Sequence, residues 1–315
     1  MIALLLLLPQ RRASSDDAPV TLEKIIEVWK AREQKIKSFD FRWWSKHFES
    51  EPDVGLRNQD PREPKAPARP DTTFIVMSRF ATDMKDNQVR TRLDDRGQQW
   101  SPNVGEFLER TRVDILDHGV EKSFYSNSDR GFFPTLDTRS SPGLVDHHDI
   151  RSRALRLAFR PLTGPIAVCP GKPELVEIAD KDAPGLLVVD HQVWVDPDKD
   201  FLPVRYTLGI PNSLHSEVEI AYARDETFGW VPQSWTSRQY DSKGKMFASD
   251  EAKVLKYSLN KPLADADFEL DLPPDTVIYD RTSGDAYIVH RGGQRQRISF
   301  NMFEEDPVIP QPPAK

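Results

Sequence analysis

The chain has 315 residues, 38% of them hydrophobic and 10% aromatic, enough to bury a large all-β core as one domain. Charged residues make up 30%, but both signs are interspersed and the net charge is -7, so there is no basic footprint for a nucleic-acid backbone and no such partner is expected. The single cysteine, Cys169, excludes an internal disulfide and a cysteine-based metal site, and it reads as a small buried hydrophobe.

Residues 1–8 form an apolar run too short to span a bilayer, which needs about 20 such residues. The run reads as the core of a signal peptide, with Ala13 and Ser15 filling the small-residue positions of a cleavage site before Asp16. Arg11 and Arg12 follow the run instead of preceding it, against the usual pattern. Residues 1–19 are therefore expected to be a leader that exports the chain, with no stable membrane span.

From Val20 the pattern becomes structured. Thr21 is placed to cap a helix, Val20 and Ile25 to form a hydrophobic staple, and Leu22, Ile25, Ile26 and Trp29 share one helical face. Residues 38–43 then alternate Phe39, Phe41 and Trp43 with polar side chains, the period of a strand with one buried face. Residues 49–70, rich in proline and charge, cannot build a core and read as an exposed loop. Strands resume at 72–80 and 89–93, and residues 110–125 read as a hairpin turning at Asp117-His118-Gly119, where Gly119 supplies positive φ.

Residues 129–149 read as a second long loop. Asp149 then caps a helix through Phe159 that buries Leu155, Ala158 and Phe159 and leaves Arg151, Arg153, Arg156 and Arg160 in water. From residue 174 a meander of short strands follows: 175–178, 186–189, 193–195, 204–208, 218–221, 230–238 and 252–259. Residues 268–272 read as an alternating strand running into Pro273-Pro274 and a further strand at 277–280 that closes an antiparallel fold. A small hairpin around Gly292-Gly293 follows at 281–305, and the proline-rich tail, 306–315, is expected to be disordered.

No nucleotide loop, nucleophile elbow or zinc-protease motif is present, and the two S-x-x-K matches, Ser242/Lys245 and Ser258/Lys261, lack their partner motifs. The chain is expected to be non-catalytic, with no cofactor. Asp146-His147-His148-Asp149 concentrates potential metal ligands, but adjacent histidines in a polar loop read as solvated, and no metal is assigned. Asp196-Pro-Asp198-Lys-Asp200 imitates the opening of a calcium loop. Phe201 stands where that loop requires Gly, so the segment reads as a hairpin turn.

Taken in order, these parts resemble the LolA and LolB type of periplasmic lipoprotein carrier, the outer-membrane lipoprotein-sorting proteins, and in particular their longer relatives in planctomycete-like bacteria. The resemblance runs over residues 20–280. It is carried by the helix ending in Lys37-Ser38-Phe39, by Val113-Asp-Ile115-Leu116-Asp117-His118-Gly119, by Val193-Trp194-Val195-Asp196-Pro197 with Leu202-Pro203-Val204-Arg205-Tyr206, and by 268–280, where Asp275 stands in the place of the family's usual Gly.

The resemblance implies a mainly β (α+β) fold: a curved antiparallel sheet or half-open β-barrel with an N-terminal helix and a lid-like helix. It also implies an apolar cavity that takes lipid or lipoprotein acyl chains, each buried CH₂ contributing about 0.8 kcal/mol. Phe39, Phe41 and Trp43 of the first strand, Val193 and Val195 of the later pair, and Leu155 and Phe159 of the lid helix are the implied ligand-binding residues. An envelope interaction or stress-sensing module of the same fold, with an envelope protein as partner, is the alternative.

Overall fold

Thr21 starts the first helix, α1 (Leu22–Lys35), its hydroxyl accepting from the backbone N–H of Lys24 at 3.3 Å. Ile25 and Trp29 are buried, as their spacing requires. The computed structural model describes residues 20–50, 70–84, 89–101, 105–126, 135–140, 150–162, 174–176, 185–188, 191–210 and 213–298. The leader, Cys169, the 146–149 cluster and the C-terminal tail lie outside these residues, as do most of the loops expected at 49–70 and 129–149.

The strands are β1 (Ser38–Glu49), β2 (Thr72–Asp83), β3 (Arg90–Ser101), β4 (Glu106–Asp117), β5 (Val120–Tyr125) and β6 (Thr135–Ser140), before a second helix, α2 (Ile150–Phe159). After it come β7 (Glu174–Val176), β8 (Gly185–Val188), β9 (His191–Asp196), β10 (Leu202–Ile210), β11 (Ser213–Asp225), β12 (Gly229–Tyr240), β13 (Met246–Leu259), β14 (Thr276–Asp280), β15 (Asp285–Val289) and β16 (Arg295–Ile298). All sixteen join one sheet in the order β16-β15-β14-β6-β5-β4-β3-β2-β1-β13-β12-β11-β10-β9-β8-β7. The fold is thus mainly β, a curved sheet that does not close, with two α-helices among the described residues. The first strand in sequence becomes the central one, flanked by β2 and β13.

Local chemistry sets the turns. His118 and Gly119 both take positive φ, 50° and 75°, between Asp117 and Val120, the two-residue geometry that matches strand twist. Between β9 and β10, Asp196 caps a short 3-10 turn (Pro197–Lys199) and Asp200 and Phe201 take positive φ, so the calcium-loop mimic is a hairpin turn as expected. Asp275, in the position read as the family's glycine, has φ 65°, a left-handed conformation that favours Gly or Asn and Asp.

Three expectations about strands change. First, β6 lies inside the segment read as loop. Its sequence, Thr-Leu-Asp-Thr-Arg-Ser, shows no apolar period, yet Leu136 is buried and the backbone pairs on both sides, with β5 and β14. Second, residues 268–272 are not a strand: a 3-10 turn (Asp265–Phe268) leads a crossing of the outer face of the sheet, and pairing resumes only at β14. Third, because β14 arrives by that crossing and not by a hairpin, it is free to pair parallel with β6, the one parallel pair among the described strands.

The crossing is held by charge and by one aromatic ring. Arg79 of β2 donates to Asp40 and to Asp267, and Arg92 of β3 to the carbonyls of Asp267 and Glu269. Burial works against the Arg79 charge, but the two carboxylates outweigh it and raise its pKa. Phe268, 1% exposed, packs with Val113, Ile115, Phe124, Leu136 and Ile278, and the Arg90 guanidinium lies 4.0 Å from its ring centre. Its truncation removes the anchor of the second core. Phe268→Ala is expected to destabilise the fold by about 3–5 kcal/mol in a denaturant titration; a loss below about 1 kcal/mol would mean that the crossing is not part of the cooperative core.

Candidate functional site

The alternation of β1 divides its side chains between two faces. Phe39, Phe41, Trp43, Ser45 and His47 point to the inner face, against the helices, and Asp40, Arg42, Trp44 and Lys46 point outward. The inner side chains change character along the strand. Phe39 and Phe41 meet Phe159 of α2 at 5.0 and 5.4 Å between ring centres, Tyr257 stacks on Phe41 at 5.4 Å, and Trp43 meets Trp235 edge-on at 5.2 Å. Ser45 and His47 then begin a polar end.

All seven ligand-binding residues of the sequence reading fall in one cluster. Phe39 is 2% exposed and Phe41, Trp43, Leu155, Phe159, Val193 and Val195 are 0% exposed, packed together with Ile25 and Trp29 of α1. Val193 and Val195 reach it from β9, and Tyr206 of β10 and Val218 of β11 continue the same wall. Phe80, Tyr206, Trp235 and Tyr257 complete the aromatic lining and were missed, because each sits in a strand whose pattern gives no sign of which face meets the helix.

The arginines of α2 overturn the expectation that they stay in water. Arg153, Arg156 and Arg160 are 4–5% exposed. On the helix and the residue that follows it these three form one half of the circumference opposite Leu155, Ala158 and Phe159, as in any surface helix; α2, however, is enclosed on both halves. Each charge has a specific seat. Arg153 donates to the Ser216 hydroxyl at 2.8 Å and lies over Tyr206, and Arg156 lies over Phe80. Arg151, half-buried near the helix start, donates to Asp95 at 2.9 Å.

The two helices are joined at their C-terminal ends by an exchange of arginines. Arg32 of α1 donates to the carbonyl of Ala158 in the last turn of α2, at 2.8 Å, and to Trp230, while its guanidinium lies 5.1 Å from the Phe159 ring centre. Arg160, just past α2, donates to the carbonyls of Glu33 and Ile36 at the end of α1. The Glu33 carboxylate returns the contact by accepting from Leu162 N–H at 2.8 Å. Helix C-termini carry carbonyls without intrahelical donors and a partial negative charge, so each guanidinium meets both needs. Burial pushes Arg160 down to about 10, opposed by Glu33 and helped by Arg32, so it remains charged at neutral pH.

At the polar end, the Asp250 carboxylate accepts from Ser45 and contacts His47 Nδ1 at 2.9 Å, and Asp95 accepts from Ser78 and Arg151. Ser45 and His47 both address the same oxygen of Asp250, not one another, so the trio has no nucleophile–base geometry. Among the described residues no group of three or more His, Cys, Asp or Glu is arranged to hold a metal ion, and no helix is long and apolar enough to cross a membrane. Two indole donors, Trp43 Nε1 and Trp235 Nε1, are buried beside the aromatic cluster without an acceptor among the described residues.

No family model and no curated protein matches the chain. Among solved structures it is similar to a LolA superfamily protein from Nitrosomonas europaea, with 13% identity over 80% of this chain and 99% of that one, at a TM-score of 0.42. A second similarity, to an enduracididine biosynthesis enzyme, has 12% identity over 70% of this chain and 88% of that one, at a TM-score of 0.12. The architecture itself stands on the strand order and on the helices lying against the inner face.

The Asp250 cluster gives a pH dependence with a defined sign. Burial alone would raise the Asp250 pKa, but the His47 contact, the Arg151 charge and the Ser45 hydroxyl outweigh it and hold the carboxyl below its ordinary range. Its stabilisation is therefore fully present above the unfolded pKa of about 3.9 and is lost as pH falls through the folded value. Asp250→Asn is expected to cost about 2 kcal/mol at neutral pH. In thermal melts its deficit against the wild type should narrow as pH falls below about 4, and a deficit that stays constant to low pH would contradict a charged Asp250.

Proposed function

We propose that the chain is a non-catalytic carrier, exported to the periplasm, that holds a lipid or the acyl chain of a lipidated protein against the inner face of its sheet. The reading rests on the two buried indole donors of Trp43 and Trp235, set beside an aromatic wall. A buried N–H without an acceptor costs about 1–3 kcal/mol, and an ester or amide carbonyl at the head of an acyl chain satisfies it. Phe39, Phe41, Val193 and Val195 then line the path of the chain, and Leu155 and Phe159 belong to the lid.

In this arrangement α2 fills the space that cargo would take, so loading requires the helix to move. The Arg32 and Arg160 contacts set the cost of that movement. Loosening them is expected to ease entry: Arg32→Ala should raise uptake of a fluorescent fatty-acid probe roughly tenfold, the worth of one charge-assisted hydrogen bond, while lowering the melting temperature. Native mass spectrometry of protein purified from its host should show a bound lipid, recovered by extraction. If neither wild type nor Arg32→Ala takes up probe and extraction yields no lipid, the carrier reading fails. The filled inner face favours the second reading in that case, an envelope interaction or stress-sensing module, which predicts a protein partner recovered from envelope extracts.

A further inference from the structure

The outer face of the sheet carries a surface that the inner site does not use. Across β1 and β2, Trp44 pairs with Met77, and Ile75 lies one outward step along, opposite Lys46. On the other side of β1 the register with β13 shifts between Arg42 and Trp43, and at that irregularity both Leu255 and Lys256 are exposed. Ile75, Met77 and Leu255 are 54%, 47% and 56% exposed, three large apolar side chains grouped around a half-buried tryptophan. Grouped exposure of this kind marks a contact surface, where single exposed apolar residues do not.

The charges around these side chains have one predominant sign. Arg42, Lys46, Arg96, Lys253 and Lys256 are all exposed, and none makes an ion pair with another described residue. Elsewhere on the outer face the cations are matched: Arg79 holds Asp40 and Asp267, and Arg205 and Arg238 hold Glu217. Two carboxylates, Glu251 opposite Lys46 and Glu109 near Arg96, leave the five cations in excess. On a chain of net charge -7 this local excess does not follow from composition. Beside it runs a groove of 480 Å³, with Ile75 and Met77 on its apolar side and Arg96 and Glu109 on its polar side.

We infer that this face docks on an anionic phospholipid surface. Trp44 is suited to the headgroup level, Ile75, Met77 and Leu255 to shallow insertion, and the long lysine stems keep their charges at the phosphates. A partner protein would meet the same cations with carboxylates, but the mixture of unpaired lysines with protruding Met, Ile and Leu matches a fluid anionic layer better. The surface lies on the opposite face from α2 and is independent of what the interior holds.

The test is sedimentation of the full chain with vesicles of phosphatidylcholine, with and without phosphatidylglycerol. Binding is expected only with phosphatidylglycerol and should weaken as salt is added. The variant Lys46→Gln/Lys253→Gln/Lys256→Gln should bind roughly 100-fold more weakly, at about fivefold per charge. Ile75→Ser/Met77→Ser/Leu255→Ser should also weaken binding while leaving its salt dependence in place, and Lys30→Gln on α1 should leave binding unchanged. Circular dichroism checks that the variants, all at exposed positions, retain the fold. Failure to bind phosphatidylglycerol vesicles, equal binding to both vesicle types, or binding unaffected by either triple variant overturns the inference, whether or not the interior carries lipid.

Discussion

The exchange of arginines between the ends of the two helices is the contact on which the arrangement of this protein depends. Neither helix is long, and neither end has a glycine stop. Instead Arg32 closes α2 at Ala158 and Arg160 closes α1 at Glu33 and Ile36. Burying two guanidinium groups is costly: desolvation lowers the pKa of both, and the Arg32 charge lowers that of Arg160 further. The cost is offset because a guanidinium carries several donors and each finds backbone carbonyls that would otherwise be buried unpaired. The same exchange sets the position of α2 against Phe39 and Phe41, so the geometry of the inner site follows from it.

The sheet presents two surfaces with different solutions. Inside, apolar packing changes to a polar end within one strand, from Phe39, Phe41 and Trp43 to Ser45 and His47, and α2 matches the change with Phe159 at one end and Arg151 at the other. Outside, the crossing at 263–272 covers β2 to β4 with the second core and stops short of Ile75 and Met77. A carrier reading uses the first surface and a membrane-docking reading the second, and the central strand β1 contributes to both through its alternate residues.

Much of the fold was legible because it is written in local patterns. Thr21 before an amphipathic run, His118-Gly119 between two strands, Gly292-Gly293 in the last hairpin and the alternation of Phe39, Phe41 and Trp43 each require a particular backbone whatever surrounds them. The seven inner residues were also legible as apolar, and they do converge. Their part in binding was a matter of resemblance, since apolar side chains that line a ligand and those that fill a core look the same in a sequence.

What the sequence determined by itself was both described helices, most of the strands and the apolar side of many of them, since these follow from periods of two and 3.6 residues. Tertiary structure alone decided the rest. Leu136 could not announce β6 without β5 and β14 to pair with it, and Phe268 and Leu270 alternate like a strand but pack on the second core, Phe268 fully and Leu270 in part, while crossing the sheet. The arginines of α2 show the reason most clearly. A helix with arginines on one half reads as half-wet, and only the closing of the sheet and α1 around it turns that half inward, because burial belongs to the neighbours a residue acquires and not to its place in the chain.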